Sequence, residues 1–365
     1  VSIDNGRRVV GASQRNNLGG NKGGSGEVYL FPAYADNSSA NERLFSTNPS
    51  ADHTILPSTL VTLLSTPTDV TLQASNDIGV FEAVTVANGS GNGGNLTIQA
   101  GRSILINANI TTDNGDLTLT ANETAANGVV DGQRDSGNAE INLTGATIKT
   151  GTGTFTATIS AGADKTNSGT ADITLNTVTA GALVMTNSGT TAGSDILDSG
   201  VLTVSGTSSF TTAASDGVIT LNSANALTGA VTLNTNSSST SAHATLDNGT
   251  TALDIAASTI GGTLTLTSGH ASGITDSGTV TVGGNLVATT DANSGVINMG
   301  SMAVDGTVAL TTNGTGDATV VNDNGLDFAA STVGGAFSAT ATTGDITDTG
   351  ALAITGTTTF ITGAT

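Results

Sequence analysis

The chain has 365 residues, of which 10% are charged and none is cysteine or tryptophan, and its formal net charge is −20. The missing cysteines exclude thiol catalysis, cysteine-type zinc sites and iron–sulfur ligation. So acidic a surface repels nucleic acid and anionic lipid headgroups. No run of about 18 apolar residues occurs, so no transmembrane helix and no membrane insertion are expected. Low charge with few aromatics is also a mark of disorder. Here, however, 36% of residues are hydrophobic, and they recur with period two, as a folding strand requires. All nine Lys and Arg lie at or before Lys165; from Thr166 onward there are fourteen Asp and no basic residue.

Residues 1–66 differ from the rest. They hold Arg7, Arg8, Arg15, Lys22 and Arg43, both tyrosines, and a Gly/Asn-rich stretch from Asn16 to Gly26. They predict an irregular cap-like extension. Within it, Pro57-Ser58-Thr59-Leu60-Val61-Thr62-Leu63-Leu64 predicts one short helix, with Pro in its first turn. Coils begin after it, at Val70-Thr71-Leu72-Gln73-Ala74, then Leu96-Thr97-Ile98-Gln99-Ala100, then Leu117-Thr118-Leu119-Thr120. Residues 67–365 are expected to form one continuous solenoid.

A short unit recurs along that region: an apolar residue, a small residue, Gly, then a strand with apolar residues on alternate positions. Ile260-Gly261-Gly262-Thr263-Leu264-Thr265-Leu266 and Val282-Gly283-Gly284-Asn285-Leu286-Val287-Ala288 are good copies. Looser ones centre on Gly94, Gly115, Gly153, Gly181, Gly206, Gly229 and Gly356. The intervals cluster at 21 to 25 residues, with longer ones of 38, 28, 33 and 29. A longer repeat of 72 to 78 residues lies over it. Leu253-Asp254-Ile255-Ala256-Ala257-Ser258-Thr259-Ile260-Gly261-Gly262 returns as Leu326-Asp327-Phe328-Ala329-Ala330-Ser331-Thr332-Val333-Gly334-Gly335. One unit alone cannot bury its apolar row. Coils stacked about 4.8 Å apart make one continuous core. The glycines are read as turn residues of positive φ, and Asn as able to form ladders along the axis. The fold class expected is all-β: a right-handed parallel β-helix, or β-solenoid, on the order of 60–75 Å long. A sandwich would not repeat one unit at a near-constant period, and a propeller would carry aromatic motifs.

The stretches Asn95-Leu96-Thr97-Ile98-Gln99-Ala100-Gly101-Arg102-Ser103-Ile104 and Ile110-Thr111-Thr112-Asp113-Asn114-Gly115-Asp116-Leu117-Thr118-Leu119 resemble the filamentous haemagglutinin-like large exoproteins of two-partner secretion. The resemblance implies a right-handed β-helix on a bacterial surface or in the medium, exported through an outer-membrane partner. Such proteins are often adhesins, haemagglutinins or stalks of contact-dependent toxins. The family's secretion domain is not recognisable at Val1, so the chain is read as an internal segment.

Catalytic chemistry is sparse. His53, His243 and His270 lack metal-ligand spacing and read as exposed loop residues. Gly89-Ser90-Gly91-Asn92-Gly93-Gly94 matches G-x-G-x-x-G in letters, but a strand follows where a pyrophosphate site needs a helix. A polysaccharide-cleaving solenoid needs paired carboxylates, or calcium with a basic residue, in a groove. That site could sit only in the first half, and no enzyme activity is expected. Asp198, Asp276 and Asp348 share one repeat position, with Asp195 and Asp345 just before two of them. They are the calcium candidates, about 14 Å apart at three coils per repeat. Asp bending a turn through its own backbone bonds is the favoured reading. Nine N-x-[ST] sequons occur, among them Asn95, Asn109, Asn142 and Asn313. Phe360-Ile361-Thr362-Gly363-Ala364-Thr365 carries no polar cap, which suggests head-to-tail stacking or truncation. The function expected is a secreted or cell-surface adhesin or fibre segment without catalysis or cofactor. Its partner is a host or neighbouring-cell surface. Alternatives are a filament of copies stacked end to end and, behind it, a polysaccharide-processing enzyme.

Overall fold

The computed structural model describes residues 2–4, 7–11, 28–30, 53–123, 134, 137–161 and 171–363, the first three stretches and His53 as backbone only. Asn16–Gly26 and Lys165 therefore lie outside the described residues. The fold is a β-solenoid, nearly all parallel β, of about 12 turns with one short helix among the described residues. It divides into two compact units, Val1–Asp195 and Ile196–Thr365.

In the first unit the chain winds past three parallel sheets. The first carries Arg7–Gly11, Val70–Ala74, Leu96–Ala100, Leu117–Ala121, Thr154–Ile159 and Ala182–Asn187. The second carries Val28–Leu30, Ile78–Val80, Ile104–Ile106, Ile141–Asn142 and Ile173–Leu175. The third carries Val84–Thr85, Ile110–Thr111, Ile148–Lys149 and Val178–Ala180. Strand alternation does what the sequence predicts: Val70, Leu72 and Ala74 are buried while Thr71 and Gln73 face outward. Leu96–Ala100 and Leu117–Ala121 repeat that pattern. The outward row even bonds to itself, Gln73 Nε2 donating to Gln99 Oε1 at 2.8 Å. The helix α1 (Pro57–Leu64) forms where expected, with Pro in its first turn. It buries Pro57, Leu60 and Leu64 against the strands Val70–Ala74 and Val84–Thr85. Ser2–Asp4 pairs antiparallel with Arg7–Gly11, against the parallel rule of the coils.

The second unit has two long sheets. One begins at Ile196–Asp198 and continues through Ile219–Leu221, Ala244–Asp247, Leu264–Ser268, Leu286–Thr290 and Thr307–Thr311. Leu326–Phe328 and Ile346–Asp348 complete it. The other begins at Ser208–Thr212 and runs through Val231–Asn234, Leu253–Ile255, Ile274–Asp276, Ile297–Val304, Ala318–Asn322, Phe337–Ala341 and Thr358–Thr362. A coil typically has one straight five-residue strand on one side and a bent pair of three-residue strands on the other. Phe210, Phe328 and Phe337 fill the interior, the last two edge to face at 5.2 Å.

Two expectations are corrected here. The first concerns the repeated glycines. Gly94, Gly115, Gly153, Gly229, Gly306 and Gly356 are absent from the positive-φ positions, which fall instead at Gly91, Gly151, Gly249 and their like. The repeated glycines are needed because neighbouring coils nearly touch. A Cβ on Gly115 would lie 2.3 Å from the Gly94 carbonyl oxygen, and one on Gly356 would lie 2.4 Å from that of Gly335.

The second correction concerns stacking. The Gly-led strands do not all lie on one side. Gly206 and Gly229 lead into the Ser208 sheet, at Ser208 and Val231. Gly262, Gly284 and Gly306 lead into the Ile196 sheet, at Leu264, Leu286 and Val308. Gly335 and Gly356 return to the Ser208 sheet, at Phe337 and Thr358. The switches fall where one straight strand follows another, Val231–Asn234 then Ala244–Asp247, and Thr307–Thr311 then Ala318–Asn322. These are the intervals of 33 and 29 residues: a coil plus one extra side. The intervals of 38 and 28 are single coils with added residues, since Leu117 pairs with Phe155 and Phe155 with Leu183. The long repeat therefore spans three and a half coils, not three. Leu253–Ile255 stands on the Ser208 sheet and its copy Leu326–Phe328 on the Ile196 sheet.

Candidate functional site: acidic bends and a charged column

The half-coil separates the calcium candidates. Asp198 and Asp348 lie on the Ile196 sheet and Asp276 on the Ser208 sheet. Successive copies are thus on different sides, about 17 Å apart along the axis at three and a half rises, rather than about 14 Å along one row. The carboxylates of Asp198 and Asp276 meet backbone of the following coil. Asp198 accepts from the N–H groups of Asn222 (2.9 Å) and Ser223 (3.3 Å), the Ser223 hydroxyl (3.1 Å) and Asn225 Nδ2 (2.8 Å). Asp276 accepts from Gly300 N and Ser301 N, both at 2.7 Å. Both grip the bend of the following coil. Asp348 is exposed. Among the described residues no group of three or more His, Asp or Glu could hold a metal ion. Asp198→Ala is therefore expected to lower stability by about 1–2 kcal/mol, the loss of charge-assisted bonds, and equally with calcium or with a chelator. Melting curves under both conditions check this; a calcium-dependent rise in the parent, lost in the variant, would reverse the assignment.

The histidines and sequons are likewise turned to the backbone. His243 Nδ1 accepts from Thr263 N at 2.8 Å and His270 Nδ1 from Ser272 N at 3.0 Å; His53 is described only as backbone. Asn95 and Asn109 accept, through Oδ1, the N–H of Asp116 and of Thr147 in the next coil, each at 2.8 Å. Asn142 Oδ1 accepts from Thr144 within its own turn. Asn313 Oδ1 accepts from Ser294 N at 3.4 Å. The Gly89–Gly94 loop leads into the strand Leu96–Ala100, as the sequence predicts.

What the sequence reading missed is a charged column in the first unit. Ile78, Ile104, Ile141 and Ile173 are register partners down the second sheet. The residues just before them, Asp77, Ser103, Glu140 and Asp172, stack in the same order, and Asp195 follows. Arg102 Nε donates to Asp77 Oδ1 at 2.8 Å, and Arg102 Nη2 pairs with Asp77 Oδ2. Asp77 Oδ1 also accepts from Ser103 N at 3.0 Å; Ser103 Oγ accepts from Glu140 N at 3.2 Å; Asp172 Oδ1 accepts from Asp195 N at 3.1 Å. Burial first, then the charges of Asp172 and Asp77, push the Glu140 carboxyl above the usual carboxylate range, against the pull of Asn142 and Arg102. Burial also raises Asp172, against its bond from Asp195. The signal was present as five polar residues, each directly before an Ile that leads a strand. It was diluted because 38 and 28 residues separate some rungs of the neighbouring sheet.

Three stretches, residues 170–234, 241–298 and 315–365, match the model of a family described as repeats of unknown function (DUF5649). Together they cover just under half of the chain. No curated protein and no solved structure matches it. The second and third DUF5649 matches open just before Ala244–Asp247 and Ala318–Asn322, the two extra straight strands. The breaks between DUF5649 matches thus fall beside the side switches.

Proposed function

We propose that the chain is a non-catalytic segment of an extracellular bacterial surface protein, in the style of the filamentous haemagglutinin-like exoproteins. Its role is to extend and to present its sides to host or neighbouring cells. The observation that carries this reading is that charged side chains go to fastening. Asp198, Asp276 and Asp172 accept backbone N–H groups of the following coil, and Arg102 is paired with Asp77. That leaves small uncharged residues on the outward positions of strands such as Leu117–Ala121 and Thr154–Ile159. No described helix is long and apolar enough to cross a membrane. A self-assembling filament is the second reading, because the parallel coil-on-coil pairing, as between Leu264–Ser268 and Leu286–Thr290, is one that copies stacked end to end could repeat.

Electron microscopy of the purified chain, combined with cell-binding and a screen on acidic and neutral polysaccharides, tests the proposal. Discrete particles that bind cell surfaces and leave polysaccharides intact are expected. Fibres that lengthen with concentration would select the filament, and released sugars would overturn the non-catalytic reading.

A further inference from the structure

The charged column does more than hold coils together. We propose that Glu140 and Asp172, adjacent rungs of the column Asp77, Ser103, Glu140, Asp172 and Asp195, form a proton-responsive seam, loosened at neutral pH by the burial of two like charges one rung apart and fastened in acid. The geometry is that of a parallel ladder. The rungs follow one another at the coil rise of about 4.8 Å, a separation at which like charges on partly buried carboxylates oppose each other. Four of the five rungs are carboxylates. The guanidinium beside them, Arg102, is engaged by Asp77 at the N-terminal end of the column.

The groups facing Glu140 are Asp77, Arg102, Asn142 and Asp172; Asp172 also meets the N–H of Asp195, and Ser103 Oγ is bonded to Glu140 N and Asn138 O. Glu140 and Asp172 are the two rungs whose charged forms the fold opposes. Both bind a proton more tightly in the folded chain than in the unfolded one. By linkage, stability then rises as pH falls from neutral through their raised range, and the gain is complete below the ordinary carboxylate value of about 4. A proton on either carboxyl removes one charge from the pair. The inference is independent of what the solenoid binds.

Amide hydrogen exchange on the full chain, corrected for intrinsic chemical rates, provides the test. The reporters are the amides of Ile141 and Ile173, which donate across the column to Asp172 O and Asp195 O. On going from about pH 7 to about pH 5, their protection is expected to rise by roughly threefold or more. The Ile297 amide, bonded to Asp317 O in the second unit, serves as the reference and should change little. In Glu140→Gln with Asp172→Asn, protection should be high at both pH values, with no rise in acid. A parent without the local rise, or a variant that keeps it, overturns the proposal. Should the double variant fail to fold, Glu140→Gln alone should show a smaller rise than the parent, and an undiminished rise overturns the proposal.

Discussion

Gly306→Ala is expected to lower the melting temperature of the second unit by about 6–12 °C, corresponding to a loss of about 3 kcal/mol. The new methyl carbon would stand 2.4 Å from the Gly284 carbonyl oxygen and 2.5 Å from Asn285 Oδ1. Neither atom can yield cheaply. The first is backbone of the adjacent coil, and the second holds the Thr307 N–H at 2.9 Å. The coils must separate locally, and the Gly306 N–H bond to Gly284 O, 3.0 Å, weakens with them. Gly300→Ala is the control. It lies six residues away, and a Cβ there meets nothing within 4 Å, so its effect should be within about 0.5 kcal/mol of zero, as for an ordinary surface change. Equal losses from both variants would show that conformational freedom, not coil-to-coil contact, accounts for the repeated glycines.

Asn248→Ala should cost about as much through the opposite fault, an absence. The side chain is fully buried and serves four backbone groups at one corner. Its Nδ2 donates to Leu227 O (3.0 Å), Ala252 O (2.9 Å) and Thr251 O (3.3 Å). Its Oδ1 accepts from Leu227 N at 2.8 Å. Alanine strands the N–H and carbonyl of Leu227 away from water, at about 1–3 kcal/mol for each unsatisfied group, so a loss of about 3 kcal/mol or more is expected in a denaturant titration. Asn248→Asp keeps the volume and the acceptor but points a carboxylate at carbonyl oxygens. Its loss should be larger at neutral pH and should shrink in acid as the carboxyl takes up a proton. A pH-independent Asn248→Asp variant would mean that the corner had opened to water.

The coil interior was legible in the sequence because alternation is a local property. Val70-Thr71-Leu72-Gln73-Ala74 already shows which residues are inside, and α1 was legible from Pro57 and its apolar spacing. The side on which each strand stacks was not. Leu264-Thr265-Leu266 and Leu117-Thr118-Leu119 have the same pattern, and only the count of sides between them tells which neighbour each receives. The glycines were legible as necessary but misread in cause, since a contact with a carbonyl 20 or more residues away leaves no mark on the local sequence. Buried Asn248 and exposed Asn95 are the same letter, distinguished by whether the corner closes inward. The acidic bends at Asp198 and Asp276 were visible as a repeat, but not that their carboxylates reach the backbone of the following coil rather than their own turn. The charged column escaped notice because its rungs are Asp, Ser and Glu in turn, a recurring place without a recurring letter.

The half-coil has a consequence for how such a molecule grows. When a module of three and a half windings is duplicated, every loop it brings emerges on the flank opposite its parent, and only the grandchild returns to the original flank. Asp198, Asp276 and Asp348 are three generations of one bend in that sense. Tandem copying therefore yields a two-sided array of near-identical bends, without any change to the module itself.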